Sequence, residues 1–164
     1  MPIPASPTGR SDVTSTVLTL FGQLHDQIRG EITGLDDDGL NWSPGEGANT
    51  IATIVTHVLG AEAETLRCVA GVASVRDRDG EFVRGARPLP EILGELQRAD
   101  ELLRALRPEI GAHRLRSMPA LPTLPDHERR SGLTWLVGNY GHAREHVGHI
   151  QLTKQLYRAA SSAP

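Results

Sequence analysis

An all-α fold, an antiparallel four-helix bundle with a long crossover-type loop before its last helix, is what this sequence predicts, on three observations. Apolar residues recur at helical spacing in four stretches of about 20 residues. No segment shows strand-like alternation, and no internal repeat is present. Breaks rich in Gly, Pro and Asp separate the four stretches, so each can bury its apolar face only against the others. A length of 164 residues suits one domain with a real core. We expect the bundle over residues 11–158, a flexible tail over 1–10 and a frayed tail over 159–164.

The opening Met1 to Gly9 carries Pro2, Pro4 and Pro7, which suits an extended tail. Ser11 or Asp12 can cap the first helix, whose stripe is Val13, Val17, Leu20, Leu24, Ile28 and Ile32, up to Gly34. His25 beside that stripe reads as a solvent-side histidine. From Leu35 to Asn49 turn formers dominate, and Trp42 is expected to anchor this segment over the bundle end. Asn49 or Thr50 caps the second helix, with Ile51, Ile54, Val55, Val58, Leu59, Leu66 and Val69 on one face and Gly71 as its stop. Residues 73–87 read as a polar loop. Pro88 and Pro90 start the third helix, which carries Leu89, Ile92, Leu93, Leu96, Ala99, Leu103 and Leu106 and is closed by Pro108. The connection 107–130, with Pro119, Pro122 and Pro125, is long enough to be functional, and its His113 and His127 read as exposed loop residues. Ser131 caps the last helix, Gly132 to about Tyr157.

Composition narrows the function. With 17 Lys+Arg against 20 Asp+Glu, the net charge of -3 argues against nucleic acid or an anionic membrane as the main partner. The single cysteine, Cys68, cannot form an internal disulfide, which suits a reducing cytosol, and it reads as a buried, inert thiol. No apolar run reaches the ~18 residues of a membrane span, and the N-terminus has no signal-peptide core. The expectation is a cytoplasmic protein acting on a small molecule.

The chemistry concentrates in Gly138-Asn-Tyr-Gly-His142-Ala-Arg-Glu-His146-Val-Gly-His149-Ile150. At about 100° per residue, His142, His146 and His149 fall within roughly 60° of one another, so three imidazoles share a face expected to look into the core. An i,i+4 pair lets two rings converge on one divalent ion, with Zn2+ and Ni2+ suited to imidazole nitrogen. Two ligands leave such a site incomplete. His57, inside the second helix on a face with small Ala61, is the third candidate, which gives His57, His142 and His146 with positions left open for water or substrate. Asn139 and Tyr140, one turn before His142, are expected to touch the ligands from behind or to meet the substrate, and Trp42 and Trp135 are expected as core or pocket wall. Glu64 is an alternative ligand, although a surface carboxylate is the simpler expectation. Arg84, Arg87, Arg129 and Arg130 sit in loops where an anionic substrate could meet them.

Those same residues carry a family resemblance. With His57 after Trp42-Ser-Pro44 and Asn49-Thr-Ile51, and His142-x-x-x-His146-Val-Gly-His149 in the last helix, the sequence resembles the DinB/YfiT-like four-helix superfamily from about Val13 to Tyr157. The resemblance implies one divalent metal on His57, His142 and His146. Many members have glutamine where this chain has His149, so His149 is expected as an extra ligand or as a neighbour that orients one. It further implies a metal-dependent transferase or hydrolase using a low-molecular-weight thiol such as mycothiol or bacillithiol. The alternative expectation is a non-catalytic homodimer, built on apolar helix faces, in which the metal is vestigial or absent.

Overall fold

A computed structural model describes residues 13–125 and 128–162. The expected N-terminal tail, the Ser11 or Asp12 cap and His127 lie outside them. Six α-helices are described: α1 Val13–Ile32, α2 Asp37–Asn41, α3 Ile51–Ala70, α4 Leu89–Leu106, α5 Ala112–Arg116 and α6 Gly132–Ser161. The ends follow local chemistry. Thr50 caps α3 by accepting from the Thr53 amide, and Ser131 caps α6 by accepting from Thr134. Gly71 closes α3 at φ 79°, a left-handed position that a Cβ would strain. The turn-rich segment after α1 contains one element that periodicity did not reveal, the single-turn α2, capped by Asp36 through the Gly39 amide. At its other extreme the expected frayed tail is partly helix, because α6 continues through residues 159–161.

The four long helices close a ring in which α3 packs on α6 and α4, and α1 packs on α4 and α6. Side-chain pairings give the directions. His25 and Arg29 of α1 meet Asp100 of α4 while Gly22 faces Leu103, an antiparallel pair. His57 meets His142 and Val69 lies over Gly132, so α3 and α6 are antiparallel too. Phe21 stacks on Tyr140, Gln27 pairs with Arg144 and Glu31 with Gln151 and Lys154, so α1 and α6 run parallel. That leaves α3 and α4 parallel. The expected antiparallel arrangement therefore holds for two neighbouring pairs and not for the other two. The connection over residues 71–88 must return the length of a 20-residue helix, about 30 Å, and the 107–131 segment joins diagonal helices across one end.

Fully buried Leu18, Phe21, Leu24 and Ile28 of α1 meet Ile51, Val55, Val58 and Leu66 of α3, Ile92 and Leu96 of α4, and Leu136 and Ile150 of α6. Each such side chain contributes roughly 1.5–3 kcal/mol relative to exposure. The 71–88 strap is held to this core by polar side chains. Arg87, buried, donates to Thr56, Glu91 and Glu95, and Asn41 bonds the Arg87 backbone.

Two sequence expectations change here. His25 is not on the solvent side: it is 0% exposed, its Nδ1 2.6 Å from Asp100 and its Nε2 2.9 Å from both oxygens of Glu62. Its position on α1 points between α3 and α4, where carboxylates on both helices receive it. Trp42 packs against Tyr157 at a ring distance of 5.9 Å, at the end of the bundle as expected, and it does not line the cavity described below. No helix among the described residues is long and apolar enough to cross a membrane.

Candidate metal centre

The α3/α6 seam brings the predicted imidazoles together. His57 Nε2 lies 3.3 Å from His142 Nε2, and His142 Nε2 lies 3.0 Å from His146 Nε2. One ligand nitrogen from each of the three lies within 4.8 Å of the others, and among the described residues no other group of three or more His, Cys, Asp or Glu comes together this way. Two nitrogens on a tetrahedral ion with bonds of ~2.0–2.1 Å are ~3.3 Å apart, so the spacing suits one cation.

Proton bookkeeping points the same way. His57 Nδ1 is 3.0 Å from Glu81 Oε2, an acceptor, and 3.3 Å from Arg76 Nη2, a donor; the shorter contact, to the carboxylate, favours the proton on Nδ1 and the lone pair on Nε2, toward His142. Glu81 is held in turn by Arg76, whose Nε donates to Oε1 at 2.7 Å and whose Nη2 donates to Oε2 at 2.8 Å. Arg76 Nη1 reaches Glu64 Oε2 at 3.2 Å. Burial, first of all, lowers the pKa of His57 and His142, with help from the nearby Arg76 and Arg78 charges. His146 is pushed down to about 4 by burial and then by the rings of His142, His57 and His149. Neutral imidazoles this close either pass a proton between ring nitrogens or turn their lone pairs together on a cation, and a cation can take one nitrogen from each of the three at once. The donor set therefore fits a divalent metal.

The approach to Glu81 depends on a missing side chain. A Cβ at Gly60 of α3 would sit 2.1 Å from Glu81 Oε1, so glycine there lets the strap lay its carboxylate behind His57.

Beside the histidines lies a cavity of ≈ 570 Å³, whose wall includes Ala61, Leu121, Leu124, Trp135, Asn139 and His142. Trp135 is fixed by donating from Nε1 to the Pro119 carbonyl at 3.0 Å. Asn139 Oδ1 is buried in this wall and has no hydrogen-bond partner among the described residues. The sequence expectations for Trp135 and Asn139 are met in position. Glu64 is a correction: it is 1% exposed, not a surface carboxylate, and it accepts from Thr123 N at 3.0 Å and Thr123 Oγ1 at 2.6 Å as well as from Arg76. It ties the 107–131 connection to α3 and stands outside the histidine group. His149 is exposed, so the histidine face leaves the core at its last member, yet its Nδ1 is 3.2 Å from His146 Nδ1. Cys68 is half-buried, its thiol pKa raised by burial and by Glu64, which suits an inert role. Glu62, on the same helix, belongs to His25 instead.

A family model described as the DinB superfamily matches residues 20–150. The chain belongs to the DinB superfamily. Comparison with curated proteins finds no match. Membership, the helical bundle and the three-histidine cluster are mutually consistent, since the match spans α1 to α6 and contains all three rings. What the sequence missed in this DinB protein lies in the 73–87 strap: Arg76, Arg78, Glu81 and Phe82, whose ring centroid is 5.0 Å from that of His57. The one available signal was chemical. A ligating imidazole wants an acceptor for its other nitrogen, and Glu81 is a carboxylate beside a large apolar residue in an otherwise polar stretch.

Proposed function

We propose that the chain binds one divalent metal, Zn2+ or Ni2+, through His57, His142 and His146, and acts as a metal-dependent transferase or hydrolase on a small molecule. The observation that carries this reading is the convergence of three imidazoles, two of which, His57 and His142, stand in the wall of a cavity. When bound, the ion supplies Lewis acidity and lowers the pKa of a thiol or water. The protein supplies the rest. Glu81 fixes the tautomer of His57, Arg76 fixes Glu81, and Trp135, Leu121 and Leu124 present an apolar wall to the reacting molecule. Three protein ligands, with Glu64 committed elsewhere, leave coordination positions for a substrate, as in catalytic sites. A low-molecular-weight thiol of the mycothiol or bacillithiol kind is the proposed co-substrate, by family resemblance, and a reducing cytosol is the setting that the lone cysteine suits.

Elemental analysis of untagged protein, followed by thiol-conjugation assays against a panel of electrophiles, tests the proposal. About one equivalent of metal and turnover that needs both metal and thiol are expected. Protein that takes up no divalent metal when supplied with it sinks the reading. A second reading, a homodimer without catalysis, draws on exposed Val137, Leu152 and Leu156 along α6. A dimer of metal-free protein, unchanged by added metal, would favour it.

A further inference from the structure

We propose that the cavity beside the histidines takes a small carboxylic acid with an apolar body, its carboxylate held by Arg78 and Arg130. The proposal deepens the metal-dependent reading above by naming the substrate class.

The charge around the cavity is lopsided. Arg76, Arg78 and Arg130 line it, and Glu64 is the one carboxylate among its described lining residues. Glu64 is spent on Thr123 and Arg76, and Arg76 is spent on Glu64 and Glu81. Two cations remain. Arg78 makes no hydrogen bond or ion pair among the described residues, and its guanidinium sits 5.9 Å from the Phe82 ring centroid. Arg130 stacks over Trp135 at 4.9 Å, and its one carboxylate contact among the described residues is Glu128 at 3.4 Å. A half-exposed pair at that distance contributes little. This excess is local, because the whole chain carries -3. A cleft of one sign with low-dielectric walls focuses its field and collects the opposite charge.

The rest of the wall sets the remaining chemistry. Guanidinium forks match the two oxygens of a carboxylate. Leu121, Leu124, Trp135 and Ala61 give the same cavity an apolar wall. A volume of ≈ 570 Å³ suits a small molecule. An acid anchored at the arginines would thus lay its apolar portion on that wall, in the cavity that His142 also lines.

The test uses 4-phenylbutanoate and its neutral amide as probes, titrated by calorimetry into metal-loaded and metal-free protein. Emission of Trp135 in a Trp42→Phe background reports where they bind. The acid should bind about tenfold or more tightly than the amide in both forms, as a charge-assisted bond commands, and should perturb Trp135. Arg78→Gln/Arg130→Gln should bring the ratio near one with metal content unchanged, and Arg78→Lys/Arg130→Lys should restore part of it. Equal or absent binding of the two probes overturns the proposal. So does a preference that survives the Gln variant and needs the metal, since the acid would then sit on the ion. Failure of the metal reading shows separately, as absent metal in the elemental analysis, while the metal-free titration still decides the role of the arginines.

Discussion

Two histidine clusters, one turn and a half apart along α3, face opposite fates. His25 meets Glu62 and Asp100 in the middle of the bundle, and Arg29 completes the group through Asp100. His57 meets Glu81 at the strap and the rings of α6. Both rings are buried and both face carboxylates, yet burial lowers the pKa of His57, whereas at His25 the bonds to Glu62 and Asp100 overcome burial and raise it. The difference lies in the arginines. Glu81 is claimed by both edges of Arg76, and Arg78 adds a further positive charge, so little negative field is left for His57. At His25 the one arginine, Arg29, bonds Asp100 and leaves Glu62 to the ring. A ring between two ionised carboxylates donates from both nitrogens and serves as a charged strut, and because burial also raises the pKa of Glu62 the proton belongs to the His25–Glu62 pair; a ring with one nitrogen free of protons can be a ligand.

That comparison can be broken most sharply at the ligands. His142→Ala or His146→Ala should abolish bound metal, measured by elemental analysis, with helix content by circular dichroism nearly intact. Retained metal in both variants would remove the centre. His25→Leu should do the reverse, keeping metal while destabilising by roughly 3–5 kcal/mol in denaturant titration, because Glu62 is left buried without its partner. Adding Glu62→Met should recover much of that loss; if the double variant is no better, the strut is not what the single variant broke.

Smaller effects sharpen the division of labour. Glu81→Gln should weaken metal affinity by about 10–100-fold without unfolding the protein, the usual worth of a group that orients a ligand. Gly60→Ala should act in the same direction, since its methyl would displace Glu81. Metal affinity in either variant equal to that of the parent would mean that the carboxylate only staples the strap.

The two clusters should also respond oppositely to pH in metal-free protein. His146 falls from 6.5 to about 4 on folding, so the unfolded chain binds the extra proton in that window and stability drops as pH falls through it. With the discount that partial exposure demands, the effect is on the order of 1 kcal/mol, and His146→Ala should flatten it. His25 is raised, so its contribution is full below 6.5 and fades as pH climbs through the folded value. His25→Leu should leave the acid-side slope in place. Denaturation midpoints across pH 4 to 9 would read both slopes.

Periodicity alone gave the four long helices nearly to the residue, with Thr50, Ser131 and Gly71 at their ends, because caps and apolar spacing are local. It gave His142 and His146 as neighbours for the same reason, since i,i+4 proximity needs only one helix. His57 needed more: its face could be read, while the α3/α6 approach that brings it to the pair is a property of the packed bundle. The strap residues Arg76 and Arg78 had no local signature and Glu81 only the neighbouring Phe82, since a polar loop reads alike whether it is solvated or folded back. His25 and Glu64 were misjudged on the same ground. A single polar residue on a helix gives no sign of which charges the neighbouring helices will offer it, and only the tertiary arrangement, by putting Asp100 and Glu62 around one and Arg76 and Thr123 around the other, decided that both are buried. Helix directions and the path of the 71–88 strap were decided there too, because they depend on which faces meet and not on where each helix begins and ends.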